Sequence, residues 1–125
     1  MSKDNNIVKL YILGIQSFND RDFYEAHDFW EELWVNYKLN DPKFIQGLIQ
    51  LSVGFFHISN YNRNGALGLF NKSKLKFIDY APNHRGQNIL SILKCIDKSI
   101  EQIESLKENR RLNEFNWDII IKLNG

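Results

Sequence analysis

Apolar residues recur every three or four positions along most of the chain, and polar punctuation divides the pattern into five predicted helices. The first covers about residues 5–18, with Ile7, Leu10, Tyr11, Gly14 and Phe18 on one face. Asn19 or Asp20 can cap the second, about residues 21–37, because a short acceptor there takes up free backbone N–H groups. The third opens on Asp41 as N-cap, followed by Pro42 at the first helical position, where a missing N–H costs nothing, and runs to about Tyr61. Asn62 or Asn64 opens a fourth helix over about 64–80, stopped by Pro82. The fifth, about residues 86–109, carries Ile89, Leu93, Ile96, Ile100 and Ile103 in near-heptad spacing, which favours antiparallel packing. Beyond it Phe115, Trp117, Ile119, Ile121 and Leu123 alternate as in a short strand or an extended arm, expected to pack on its own chain or on a second copy.

The pattern predicts an all-α fold: a bundle of about five helices arranged as helical hairpins, with the apolar C-terminal tail packed on it, in one domain over residues 1–125. A faint repeat supports the hairpins. Gly14 and Ala26 recur as Gly54 and Ala66 at a shift of 40 residues, small residues that let paired helices approach closely. This is similar to the helix-pair logic of tetratricopeptide-type repeats.

Composition narrows the function classes. With 43% hydrophobic and 25% charged residues the chain is ordinary for a globular protein. Residues 1–62 hold 5 basic and 8 acidic side chains against 11 and 7 in residues 63–125, too mild and interspersed an asymmetry for a nucleic-acid footprint. The opening MSKDNNIVKLYILG has only a short, interrupted apolar stretch, so neither a signal peptide nor a membrane span is expected, and the predicted location is cytoplasmic. The single cysteine, Cys95, fits a reducing compartment and is expected to serve packing.

The second helix reads FYEAHDFWEELW, with Phe23, Ala26, Trp30, Leu33, Trp34 and Tyr37 forming its buried stripe. His27 and Glu31, four residues apart and therefore stacked, border that stripe, while Glu25, Asp28 and Glu32 are expected to be solvated. The third helix is apolar nearly all round, yet Gln46, Gln50 and His57 fall on one side of its wheel beside Gly47 and Gly54. Buried amides and imidazoles need partners, so this stripe is expected to face His27 and Glu31. Two imidazoles, a carboxylate and two amides could form a hydrogen-bonded network, line a binding pocket, hold a divalent metal, or support acid–base catalysis. His84 and Arg85, in a turn, are expected to be exposed, with Arg85 binding an anion or solvating the loop.

The segments EAHDFWEELW and QGLIQ, followed by His57, Asn62 and Gly65-Ala66, resemble the family catalogued as domain of unknown function 309, over about residues 10–75. The resemblance implies a compact helical fold and groups His27, Glu31, Trp34, Gln50, His57 and Asn62 in one centre. Asp28 stands where that family usually has glutamate, and Tyr61 where it often has glycine.

Two functions follow as expectations. The first is a helical binding or interaction module for a small molecule or protein, with its polar centre between the second and third helices. The second is a metal-assisted hydrolase using His27, Glu31 and His57 as ligands of a divalent metal. The fifth helix and the apolar tail further suggest a homo-oligomer.

Overall fold

The computed structural model describes residues 3–125. Five α-helices follow one another as α1 Lys3–Asn19, α2 Phe23–Asn36, α3 Pro42–Ser59, α4 Arg63–Phe77 and α5 Ile89–Ser105. Side-chain oxygens start three of them: Asp22 accepts from the Glu25 amide (3.1 Å), Asn62 from Gly65 (2.9 Å) and Asn88 from Ser91 (3.0 Å). The cap of α2 is therefore Asp22, not Asn19 or Asp20, because residues 20 and 21 are spent on the turn. Asp41 precedes α3 without capping it, since its carboxylate is engaged elsewhere.

The 40-residue echo is a repeated structure. In the α1–α2 and α3–α4 turns, Arg21 (φ 63°) and Tyr61 (φ 59°) both take the left-handed conformation. The next amide reaches back each time, Asp22 to the Ser17 carbonyl (2.9 Å) and Asn62 to that of His57 (2.8 Å). In each hairpin a large ring of the second helix lies on a glycine of the first, Trp30 on Gly14 and Phe70 on Gly54. The Trp30 indole N–H donates to the Tyr11 carbonyl (3.2 Å), so that buried ring keeps no unmet donor.

The rings of successive helices converge on Phe55. Its centroid lies 6.0 Å from Phe18, 5.3 Å from Phe23 and 4.8 Å from Phe70, joining α1, α2 and α4 to α3. Beyond α4 a 3-10 turn, Ile78–Tyr80, leads to a minimal antiparallel hairpin of β1 Asn83–His84 and β2 Gln87–Asn88. Arg85 (φ 48°) and Gly86 (φ 73°) form its two-residue turn, which needs positive φ to match strand twist. The predicted start of the fifth helix at 86 falls in this turn, and α5 begins only after the Asn88 cap.

The tail is not a strand but packs on its own chain as an extended arm interrupted by 3-10 turns. It forms 3-10 turns at Asn109–Glu114 and Trp117–Ile119, then runs extended along its own bundle. Two side-chain amides clasp it. Asn19 pairs with both backbone groups of Leu123 (2.8 and 2.9 Å), and Gln87 with both of Asn124 (2.9 and 2.6 Å).

Glycine substitutions separate crowding from helix propensity. A Cβ at Gly14 would overlap the Trp30 indole, and one at Gly54 would lie 2.8 Å from the Phe70 ring, whereas nothing lies within 4 Å of a Cβ at Gly68. Gly14→Ala and Gly54→Ala are expected to destabilise by about 1–3 kcal/mol despite better helix propensity. Gly68→Ala is expected to stabilise by about 0.5–1 kcal/mol. Urea denaturation of the three variants checks both signs.

Candidate functional site

The outer face of α2 presents Tyr24, His27, Glu31 and Trp34 at spacings of three and four, so their side chains stack along the helix. His27 is held at both ring nitrogens. Nε2 meets the Glu31 carboxylate at 2.7 Å, and Nδ1 lies 3.1 Å from the Tyr24 carbonyl and 3.3 Å from the Asp28 carboxylate. Every one of these partners is an acceptor. A neutral imidazole can donate from only one nitrogen, so the arrangement is fully satisfied when both carry a proton. His27 is 20% exposed and Glu31 53%, which leaves the pair open to solvent. Trp34, assigned by its periodicity to the buried stripe, is 41% exposed, and Trp30 and Leu33 fill the core without it.

The second imidazole is held differently. The Asn62 side-chain oxygen accepts from the Gly65 amide, which turns its NH2 toward His57 Nδ1 at 3.3 Å. His57 Nδ1 is thus an acceptor, and the ring proton belongs on Nε2. His57 and Asn62 bind each other across the α3–α4 turn, and His27 binds Glu31 along α2. Among the described residues no group of three His, Cys, Asp or Glu side chains is arranged to hold a metal ion, so His27, Glu31 and His57 do not assemble as a ligand set.

Tyr24 connects α2 to α3. Its ring lies 5.3 Å from the His27 ring and 5.3 Å from Phe56. Gln46 and Gln50 stand on α3, the helix that packs against α2. Both are half-buried, and the Gln50 side-chain oxygen is shielded from solvent without a hydrogen-bond partner among the described residues.

Tyr24 also walls a cleft of about 430 Å³ at the α1–α2 turn. Phe23 and Trp117, stacked 6.0 Å apart at 18°, form one side, and Phe56 and Ser59 of α3 contribute the other. Arg21 and Asp22 complete the lining. The Arg21 guanidinium donates to the Trp117 carbonyl (3.1 Å), tying the tail to the turn. The periodicity of α2 marked its polar face, but the cleft was hidden because Trp117 arrives from a distant segment.

Residues 11–69 match the family model described as a domain of unknown function, DUF309. Over this segment the chain is similar to the DUF309 family, as its motifs suggested. The DUF309 segment contains His27, Glu31, Trp34, Gln46, Gln50, His57 and Asn62, while Trp117 lies outside it. No curated protein matches the chain significantly. Among the described residues no helix is long and apolar enough to cross a membrane.

A second polar cluster departs from expectation. Asp41, 9% exposed, accepts two bonds from the Arg85 guanidinium (2.6 and 2.8 Å), and His84 Nε2 lies 2.7 Å from the same carboxylate. His84 and Arg85 are therefore half-buried ion-pair partners, not an exposed turn. Arg85 also lies 4.8 Å over the Tyr11 ring, and Gln87 donates to the Tyr11 hydroxyl (3.2 Å). Burial alone would raise the Asp41 carboxyl, but hydrogen bonds from Arg85 and His84 outweigh it and hold the group below its ordinary 3.8. Burial pushes the Tyr11 phenol up, against the opposing Gln87 hydrogen bond.

This cluster joins the α2–α3 connection to the β-hairpin. Asp41→Ala is expected to cost about 2–3 kcal/mol, because it leaves a half-buried guanidinium unpaired. A carboxyl that titrates lower in the folded state contributes stability above about pH 4 and loses it as pH falls through its folded value. Urea midpoints measured between about pH 5 and about pH 2 should fall less steeply for Asp41→Asn than for the parent protein.

Proposed function

We propose that the protein is a ligand-binding helical module whose site is the aromatic cleft at the α1–α2 turn together with the His27–Glu31 pair on its rim. The carrying observation is that Tyr24 belongs to both: it lines the cleft, and its ring rests on His27. A volume of about 430 Å³ falls within the range of small-molecule sites, roughly 300–1,000 Å³. Aromatic walls with a few placed polar groups are the usual composition of such sites.

In this assignment Glu31, positioned by His27 and 53% exposed, offers its carboxylate to a ligand leaving the cleft along α2. Trp34, 41% exposed, extends the same face of α2. His57 and Asn62 serve the centre indirectly by fixing the turn that follows α3.

Two-dimensional NMR of the labelled protein against a fragment library tests the proposal. The expected outcome is a set of shift changes concentrated on Tyr24, Phe56, Ser59 and Trp117. Tyr24 is 55% exposed, so Tyr24→Ala should change stability by no more than about 0.5 kcal/mol while abolishing binding. His27→Ala should weaken binding without relocating it. Fragments that map to another surface, or that bind the Tyr24→Ala protein equally well, would sink the assignment.

A further inference from the structure

The mouth of the cleft carries two opposite charges that do not neutralise each other. Arg21 and Asp22 are consecutive, and both line the cleft, yet each side chain hydrogen-bonds to backbone: Arg21 donates to the Trp117 carbonyl and Asp22 accepts from the Glu25 amide. Each bond uses one end of its group, Nη2 of the guanidinium and Oδ1 of the carboxylate. The remaining N–H groups of Arg21 and the second oxygen of Asp22 have no protein partner among the described residues.

This arrangement discriminates among ligand charges. A purely cationic ligand would meet repulsion from Arg21, and a purely anionic one repulsion from Asp22. A ligand bearing both charges satisfies both groups at once. Ser59 adds a further constraint, since its hydroxyl donates to the Phe56 carbonyl (2.6 Å) and so faces a ligand through its lone pairs. The polar groups therefore comprise one donor charge, one acceptor charge and one acceptor hydroxyl, beside walls made of rings.

We propose that the cleft takes a small zwitterion with an aromatic body, of the α-amino-acid class. Its carboxylate lies on the Arg21 guanidinium, its ammonium on Asp22 and the Ser59 oxygen, and its ring among Tyr24, Phe56 and Trp117. This inference rests on the proposed cleft function and adds the chemical class of the ligand. Arg21 then has two tasks, fixing the tail by one N–H and receiving the carboxylate by the others.

Calorimetric titration of the full chain with four probes tests the charge logic: L-tryptophan, its N-acetyl derivative (anion only), its methyl ester (cation only) and N-acetyltryptophanamide (neutral). The zwitterion should bind most tightly, with each deleted charge weakening binding about tenfold, a loss of about 1.4 kcal/mol. Asp22→Asn keeps an equally good helix cap, so it should weaken the two ammonium-bearing probes and spare the N-acetyl acid. Arg21→Gln should weaken the two carboxylate-bearing probes and spare the methyl ester. An equal loss for all four probes would indicate a displaced tail and overturn the role given to Arg21. Four probes of equal affinity would overturn the zwitterion class while leaving the cleft as a binding site. If no probe binds but library fragments still map to the cleft, the class fails alone; if neither binds there, the cleft assignment itself fails.

Discussion

A large aromatic ring lying on a glycine is the contact from which the rest of the structure follows. Glycine costs a helix about 1 kcal/mol relative to alanine, yet a buried ring contributes more than that through the apolar surface it removes from water. Trp30 on Gly14 and Phe70 on Gly54 draw each helix pair closer than any side chain at those positions would allow. Close helices demand tight turns, and both turns close with a left-handed residue and a side-chain cap. The first turn delivers Arg21, Asp22, Phe23 and Tyr24 to one place, so the packing of two helices also builds the mouth of the cleft.

The two hairpins share a scaffold and differ in chemistry. Forty positions beyond Tyr24, His27 and Glu31 stand Asn64, Leu67 and Asn71, where Asn71 merely donates back to the Leu67 carbonyl of its own helix (3.0 Å). The caps correspond, Asp22 with Asn62, but only the first carries charge. His57 occupies the position that Ser17 holds in the first hairpin, and its ring is fixed by the neighbouring cap. The polar face of α2 is therefore an elaboration of one half of a repeated frame.

Much of the frame was legible in the sequence because its causes are local. Helical periodicity located the five helices, and the recurring glycine and alanine exposed the paired hairpins. The DUF309 motifs drew attention to His27, Glu31 and His57, but shared motif membership carries no distance, and the two imidazoles have separate partners. Asp41 looked like a helix cap because aspartate before Pro42 usually is one. Its actual partners, His84 and Arg85, come from a hairpin 43 and 44 positions away, too short for alternation to reveal. The tail alternated like a strand, yet it found no neighbouring strand and met its hydrogen bonds through Asn19 and Gln87.

That clasp differs in range from the contacts within each hairpin. Each helical hairpin closes over a short stretch of chain, so its contacts form at small entropic cost. The Asn19–Leu123 pairing spans 104 residues, so its loop closes cheaply only when the helices between already hold the ends close. Since Trp117 lies on the same segment, the wall of the cleft arrives with the tail. The half of the chain that supplies Arg21 and Asp22 is thus held by local contacts, while the cleft they line is completed by a contact across the whole length of the fold.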